Sequence, residues 1–113
     1  MQITTESYGH SVVLNMKGEF TDDSLQAFKQ AVDRELNGND VAELVLNLEM
    51  VPFVDSAALE YLLDLRDRLA GGGAHLRLAK PDENVRNILR ITRLDGAMEV
   101  IASVHETIRP VQA

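Results

Sequence analysis

Leu44-Val45-Leu46-Asn47-Leu48 places apolar side chains on both faces of one short strand. Successive side chains of a strand point to opposite sides, so such a run is stable only where both faces are covered. The segment is therefore read as a central strand, and a central strand buried on both sides needs neighbours on each edge. The flanking sequence supplies them. Val12, Leu14 and Met16 alternate with Val13, Asn15 and Lys17 as a half-buried strand does, and Ile3–Ser7 is placed to pair with it through Tyr8-Gly9-His10, forming an amino-terminal hairpin. Leu76 and Leu78 mark a further strand, and Met98–Ile101 a last short one.

Between these strands the apolar period changes to that of a helix. Leu25, Phe28, Val32 and Leu36 recur at helical spacing, with Thr21 or Asp22 as cap and Asn37-Gly38-Asn39 as stop. A second helix carries Ala58, Leu59, Leu62, Leu63, Leu65 and Leu69, a wide apolar face, and ends at Gly71-Gly72-Gly73. Asp82 caps a third, with Val85, Ile88, Leu89 and Thr92 on one side. Ser103-Val104-His105-Glu106 has the form of a capping box and predicts a fourth, with Val104 and Ile108 on one face and Pro110 near its end. Strands alternating with helices predict an α/β fold: one domain over residues 1–113, with a mixed sheet of four to five strands, a leading hairpin and about four helices.

Composition excludes several functions. The 113 residues contain no Cys, which removes disulfides, thiol catalysis and Cys-ligated zinc. His10, His75 and His105 stand apart and in no metal-ligand motif, so neither a metal nor another cofactor is expected. No apolar run approaches the ~18 residues of a membrane span, and Met1–Glu6 lacks the pattern of a signal peptide, so a cytoplasmic protein is expected. The net charge of −7 opposes direct nucleic-acid binding, which requires cations to displace counterions from phosphates. The charge is unevenly placed: residues 1–76 carry −8 and residues 77–113 carry +1. Arg86, Arg90 and Arg93 gather on one helical face, either as a solvated surface or as the edge of a docking surface for an acidic partner.

Catalytic templates fit poorly. Gly71-Gly72-Gly73 is followed by a strand and not by the Lys-Ser or Lys-Thr of a phosphate loop, and no Gly-x-Ser-x-Gly elbow is present. The local feature of interest is Val51-Pro52-Phe53-Val54-Asp55-Ser56-Ala57-Ala58-Leu59, between the central strand and the wide-faced helix. Ser56 stands where an N-cap is expected, with Asp55 complementing the helix dipole, and that alone explains both residues. A hydroxyl on a first turn is also a phosphate acceptor. A phosphoryl group there carries about −1.5 to −2 charges, meets unsatisfied amides, and beside Asp55 makes the site strongly anionic.

In their order and spacing these segments resemble a STAS domain of the anti-sigma factor antagonist family. The resemblance rests on Leu46-Asn47-Leu48, a loop of four residues, Phe53-Val54-Asp55-Ser56 and the Leu-rich helix. Gly18-Glu19-Phe20-Thr21, Gly71-Gly72-Gly73, Leu78-Ala79-Lys80-Pro81 and Ile88–Leu94 extend it over nearly the whole chain. It implies a switch protein and not an enzyme. The unphosphorylated form binds an anti-sigma factor that is also an ATP-dependent serine kinase, freeing a sigma factor. The kinase phosphorylates the Ser of the Asp-Ser pair, here Ser56, and a metal-dependent serine phosphatase reverses the mark. The expected partner-binding surface centres on Ser56, the loop Glu49–Val54 with Phe53, and Asp55 and Ala57; on the exposed side of the helix Glu60, Asp64 and Asp67 are either ordinary solvated charges or specificity contacts. Where the family often has Ser or Thr and then Gly after Asp-Ser, this chain has Ala57 and Ala58. The alternative is a phosphorylation-independent STAS scaffold or regulatory subunit, for example of a lipid-transport ATPase complex.

Overall fold

The structure is a computed structural model that describes residues 1–104. Its elements follow as β1 (Gln2–Tyr8), β2 (Ser11–Lys17), α1 (Asp22–Leu36), β3 (Glu43–Met50), α2 (Ser56–Gly71), β4 (His75–Ala79), α3 (Glu83–Ile91) and β5 (Glu99–Ile101). They build an α/β fold with one five-stranded mixed sheet in the order β1-β2-β3-β4-β5. The expected hairpin is present: β1 and β2 pair antiparallel, with Gln2 opposite Lys17 and Tyr8 opposite Ser11. The other pairings are parallel. Three helices fall within the described residues. The fourth, expected from the capping box at Ser103, lies beyond Val104 and outside them.

Strand order explains the layering. Each crossover from β2 onward joins a strand to its next neighbour in the same direction, and right-handed crossovers then put every helix on one face. The side chains on that face, Leu14, Leu44, Leu46, Leu48, Leu76 and Leu78, form the main core with Phe28 and Val32 of α1, Leu62 and Leu65 of α2, and Leu89 of α3. On the opposite face Val13, Val45 and Ala79 form a smaller buried cluster. β3 is the middle strand, and Leu44, Val45 and Leu46 are fully buried, as the apolar run requires.

Beside that smaller cluster runs a polar row absent from the sequence reading. Glu43 is the buried charged side chain of the described residues. One of its oxygens accepts from Ser11 Oγ at 2.6 Å and the other meets the Arg77 guanidinium, which also reaches Glu99 at 2.8 Å. A carboxylate taken out of water is tolerated only when paired and hydrogen-bonded in this way. Its sequence signal is faint: Glu43 and Arg77 are the polar alternates of two apolar strands, and only the register brings both beside Val45.

Candidate functional site

Three connections meet at the carboxyl ends of the parallel strands. β2 leads into α1 through residues 18–21, β3 into α2 through residues 51–55, and β4 into α3 through residues 80–82. The first two are stitched together by backbone. Phe20 N donates to Phe53 O at 2.9 Å, Asp55 N to Phe20 O at 3.2 Å, and Gly18 N to Met50 O at 3.1 Å. Gly18 has φ +114°, a conformation in which a Cβ is strained, so glycine suits this exit from β2. Phe20 itself is fully buried, its ring 4.7 Å from that of Phe28, which in turn meets Tyr61 of α2 edge-on at 5.7 Å. The third connection joins through Asn84 Nδ2, which donates to Pro52 O at 2.7 Å, and through Lys80 Nζ, 3.5 Å from Glu49.

Asp55 organises this end of the molecule. It is the N-cap of α2: its Oδ1 accepts from Ala58 N at 2.9 Å, while Oδ2 accepts from Asp22 N, at the start of α1, at 3.0 Å. Ser56 is therefore not the cap that its position in the sequence suggested. It is the first helical residue, displaced one position into the helix because Asp55 takes the extended cap conformation and has the carboxylate to accept two amides. Its side chain is exposed, and among the described residues its hydroxyl makes no hydrogen bond. The amides of Ser56 and Ala57 have no acceptor within the helix, as for any helix start. Space, hydroxyl and free amide donors thus coincide at Ser56.

The surroundings divide into two zones. Met50, at the end of β3, and Phe53, in the connection that leads to Ser56, stand 55% and 41% exposed and leave apolar surface on this end of the molecule. Along α2, Glu60, Asp64 and Asp67 are exposed at helical spacing below it; Asp67 pairs with Arg66 at 3.0 Å, and Glu60 and Asp64 form no ion pair among the described residues. Ala57 is half-buried and Ala58 fully buried in the core, so the Cβ of Ala58 points away from any partner at this surface. Asp22 was missed as a site residue in the sequence. It acts through its backbone N–H, which leaves no mark in residue type. The described residues contain no group of three or more acidic, His or Cys side chains arranged to hold a metal, and no helix long and apolar enough to cross a membrane.

Comparison with known proteins decides the family. The STAS domain profile matches residues 2–107. The chain belongs to the STAS domain family. A Thermotoga neapolitana homologue of TM1081 is 26% identical to this STAS chain over 101 residues, 89% of each protein. A STAS-domain containing protein of Pseudomonas aeruginosa is 29% identical, over 81% of this chain and 89% of that one. Among solved structures, TM1081 of Thermotoga maritima superposes with a TM-score of 0.84 at 22% identity, covering 96% of this chain and 95% of its own. The anti-sigma factor antagonist SpoIIAA in its unphosphorylated form gives 0.80 at 20% identity, covering 95% and 93%. At these identities the structural likeness concerns the fold.

Proposed function

We propose that this STAS domain is an anti-sigma factor antagonist controlled at Ser56. In its unphosphorylated form it binds an anti-sigma factor that is also a serine kinase, and so releases a sigma factor. ATP-dependent phosphorylation of Ser56 ends the binding, and a serine phosphatase restores it. The protein acts by occupying a partner and not by turning over a substrate, and its place is the cytoplasm with that partner. The observation that carries this reading is the exposed Ser56 hydroxyl on the first turn of α2, with no partner among the described residues. Support comes from SpoIIAA, which shares the fold and is known in both unphosphorylated and phosphorylated forms.

The chemistry is consistent with a switch. A phosphoryl group on Ser56 gains the free first-turn amides and the positive end of the helix dipole, so α2 has no reason to unfold. It also adds about −1.5 to −2 charges beside Asp55 and Asp22. A partner packed on Met50 and Phe53 with cations toward Glu60 and Asp64 then meets bulk and an altered field at the centre of its contact. Asp55 serves as a positioning residue, since its two hydrogen bonds fix the turn that presents Ser56.

The test is intact mass after incubation with ATP and the candidate kinase from the same genome, for the wild type and for Ser56→Ala. A gain of one phosphoryl group, absent in the variant, with kinase affinity lost on modification, is the expected result. An active kinase that binds but leaves the mass unchanged overturns the switch in favour of a phosphorylation-independent scaffold, and recovery of an ABC-type ATPase as the bound partner points to a transport complex.

A further inference from the structure

Arg86, Arg90 and Arg93 are exposed, and among the described residues none forms an ion pair, although the chain carries 18 acidic side chains against 11 Lys and Arg. Elsewhere Arg66, Arg68 and Arg77 each meet a carboxylate. Arg86 and Arg90, one turn apart, border a cavity of about 200 Å³ between α3 and β5, with Leu89 and Val100 as its apolar lining. Neutral acceptors hold both guanidinium groups: Arg86 Nε donates to Pro81 O at 3.2 Å, and Arg90 is hydrogen-bonded to Asn87 Oδ1. Among the described residues each keeps N–H groups to spare. Asp95 also borders the cavity, but its Oδ1 accepts from Gly96 N at 3.0 Å, and among the described residues the cavity retains an excess of one positive charge. β5 is the edge of the sheet and pairs only with β4 among the described residues.

We propose that the cleft between α3 and β5 is a docking site for an acidic segment of a protein partner. Its carboxylates pair with Arg86 and Arg90, and an apolar side chain between them sits on Leu89 and Val100. Charge and lining together select the occupant: Arg86 and Arg90 offer charge-assisted hydrogen bonds to carboxylates, and Leu89 and Val100 offer apolar contact that a phosphodiester chain does not use. The site is separate from Ser56. α3 begins beside the Ser56 loop, where Asn84 touches Pro52, and runs away from it, so Arg86 lies about 3 Å and Arg90 about 9 Å further along the helix axis.

The experiment is an amide ¹H–¹⁵N titration of the full chain with a heptapeptide of alternating Leu and Glu. Controls are the same peptide with Lys in place of Glu and an oligothymidylate. Expected are shift changes confined to the amides of residues 86–90 and 100, binding that weakens with salt, and affinity about tenfold lower in Arg86→Gln/Arg90→Gln. Absence of shifts at these amides, an equal response to the Lys peptide or the oligonucleotide, or unchanged affinity in a double variant that keeps the dispersed spectrum of the wild type overturns the proposal.

Discussion

Asp55 and Asp22 are joined by a 3.0 Å hydrogen bond in which the Asp55 carboxylate accepts from the Asp22 amide, while its other oxygen caps Ala58. One side chain thereby closes the starts of two helices through a bond between residues 33 positions apart in sequence. The turn that carries Ser56 is fixed from both sides, and α1 and α2 present their positive ends to the same corner of the molecule.

Replacing Asp55 by Ala removes an N-cap and leaves the Asp22 amide without its acceptor. The expected loss is about 1–3 kcal/mol, read as a lower urea midpoint with unchanged slope. Asp55→Asn recovers part of it, because the amide has one oxygen and turns an NH₂ toward one of the two N–H donors. Hydrogen exchange should show the Asp22 amide opening faster in both variants.

Leu46 is fully buried at the centre of β3. Leu46→Ala is expected to cost about 2–5 kcal/mol, a large share of the ~5–15 kcal/mol typical of a domain. Denaturant unfolding followed by circular dichroism measures it directly.

Glu43 and Arg77 form a pair in which the carboxylate is buried. Arg77→Met strands that carboxylate and is expected to destabilise by about 3–5 kcal/mol. Adding Glu43→Leu restores part of the stability, so the two substitutions are strongly non-additive. A double-mutant cycle by thermal or urea unfolding gives the coupling.

The Tyr61 hydroxyl has its pKa raised above 10.0, first by burial and then by the neighbouring Asp33 carboxylate. A raised pKa in the folded state means that the fold prefers the protonated phenol. This contribution is whole below the unfolded value and is lost as pH rises through the folded one. Tyr61→Phe should therefore unfold at a higher pH than the wild type in an alkaline titration; the reverse order would contradict the burial argument.

Glu60 and Asp64 are exposed and unpaired among the described residues. Glu60→Ala/Asp64→Ala should change stability by no more than about 0.5 kcal/mol, yet slow association with the kinase partner and flatten its salt dependence. Unchanged association kinetics would remove these two residues from the proposed interface.

Much of this architecture is legible in short stretches of sequence. The alternation around Val13, the helical period from Leu25 to Leu36 and the double-faced run at Leu44–Leu48 each reflect a local rule: the side chain of a strand or helix must point where its neighbours allow. The glycines after α2 work similarly, with Gly73 at φ +80°. At Ser56 that legibility fails by one residue. Asp55 and Ser56 are both good caps, and nothing local chooses between them; Asp55 prevails because a second helix start, brought up by the β2–α1 connection, offers its carboxylate another donor.

Periodicity and capping act over a few residues, and so the elements, their apolar faces and the Asp55-Ser56 turn between the central strand and the second helix can be read from the chain alone. The order β1-β2-β3-β4-β5, the meeting of Glu43 with Arg77 and the double role of Asp55 emerge only once the chain is folded. These depend on contacts between residues some 30 positions apart, whose partners are selected by register and crossover handedness and not by the identity of their neighbours in the chain.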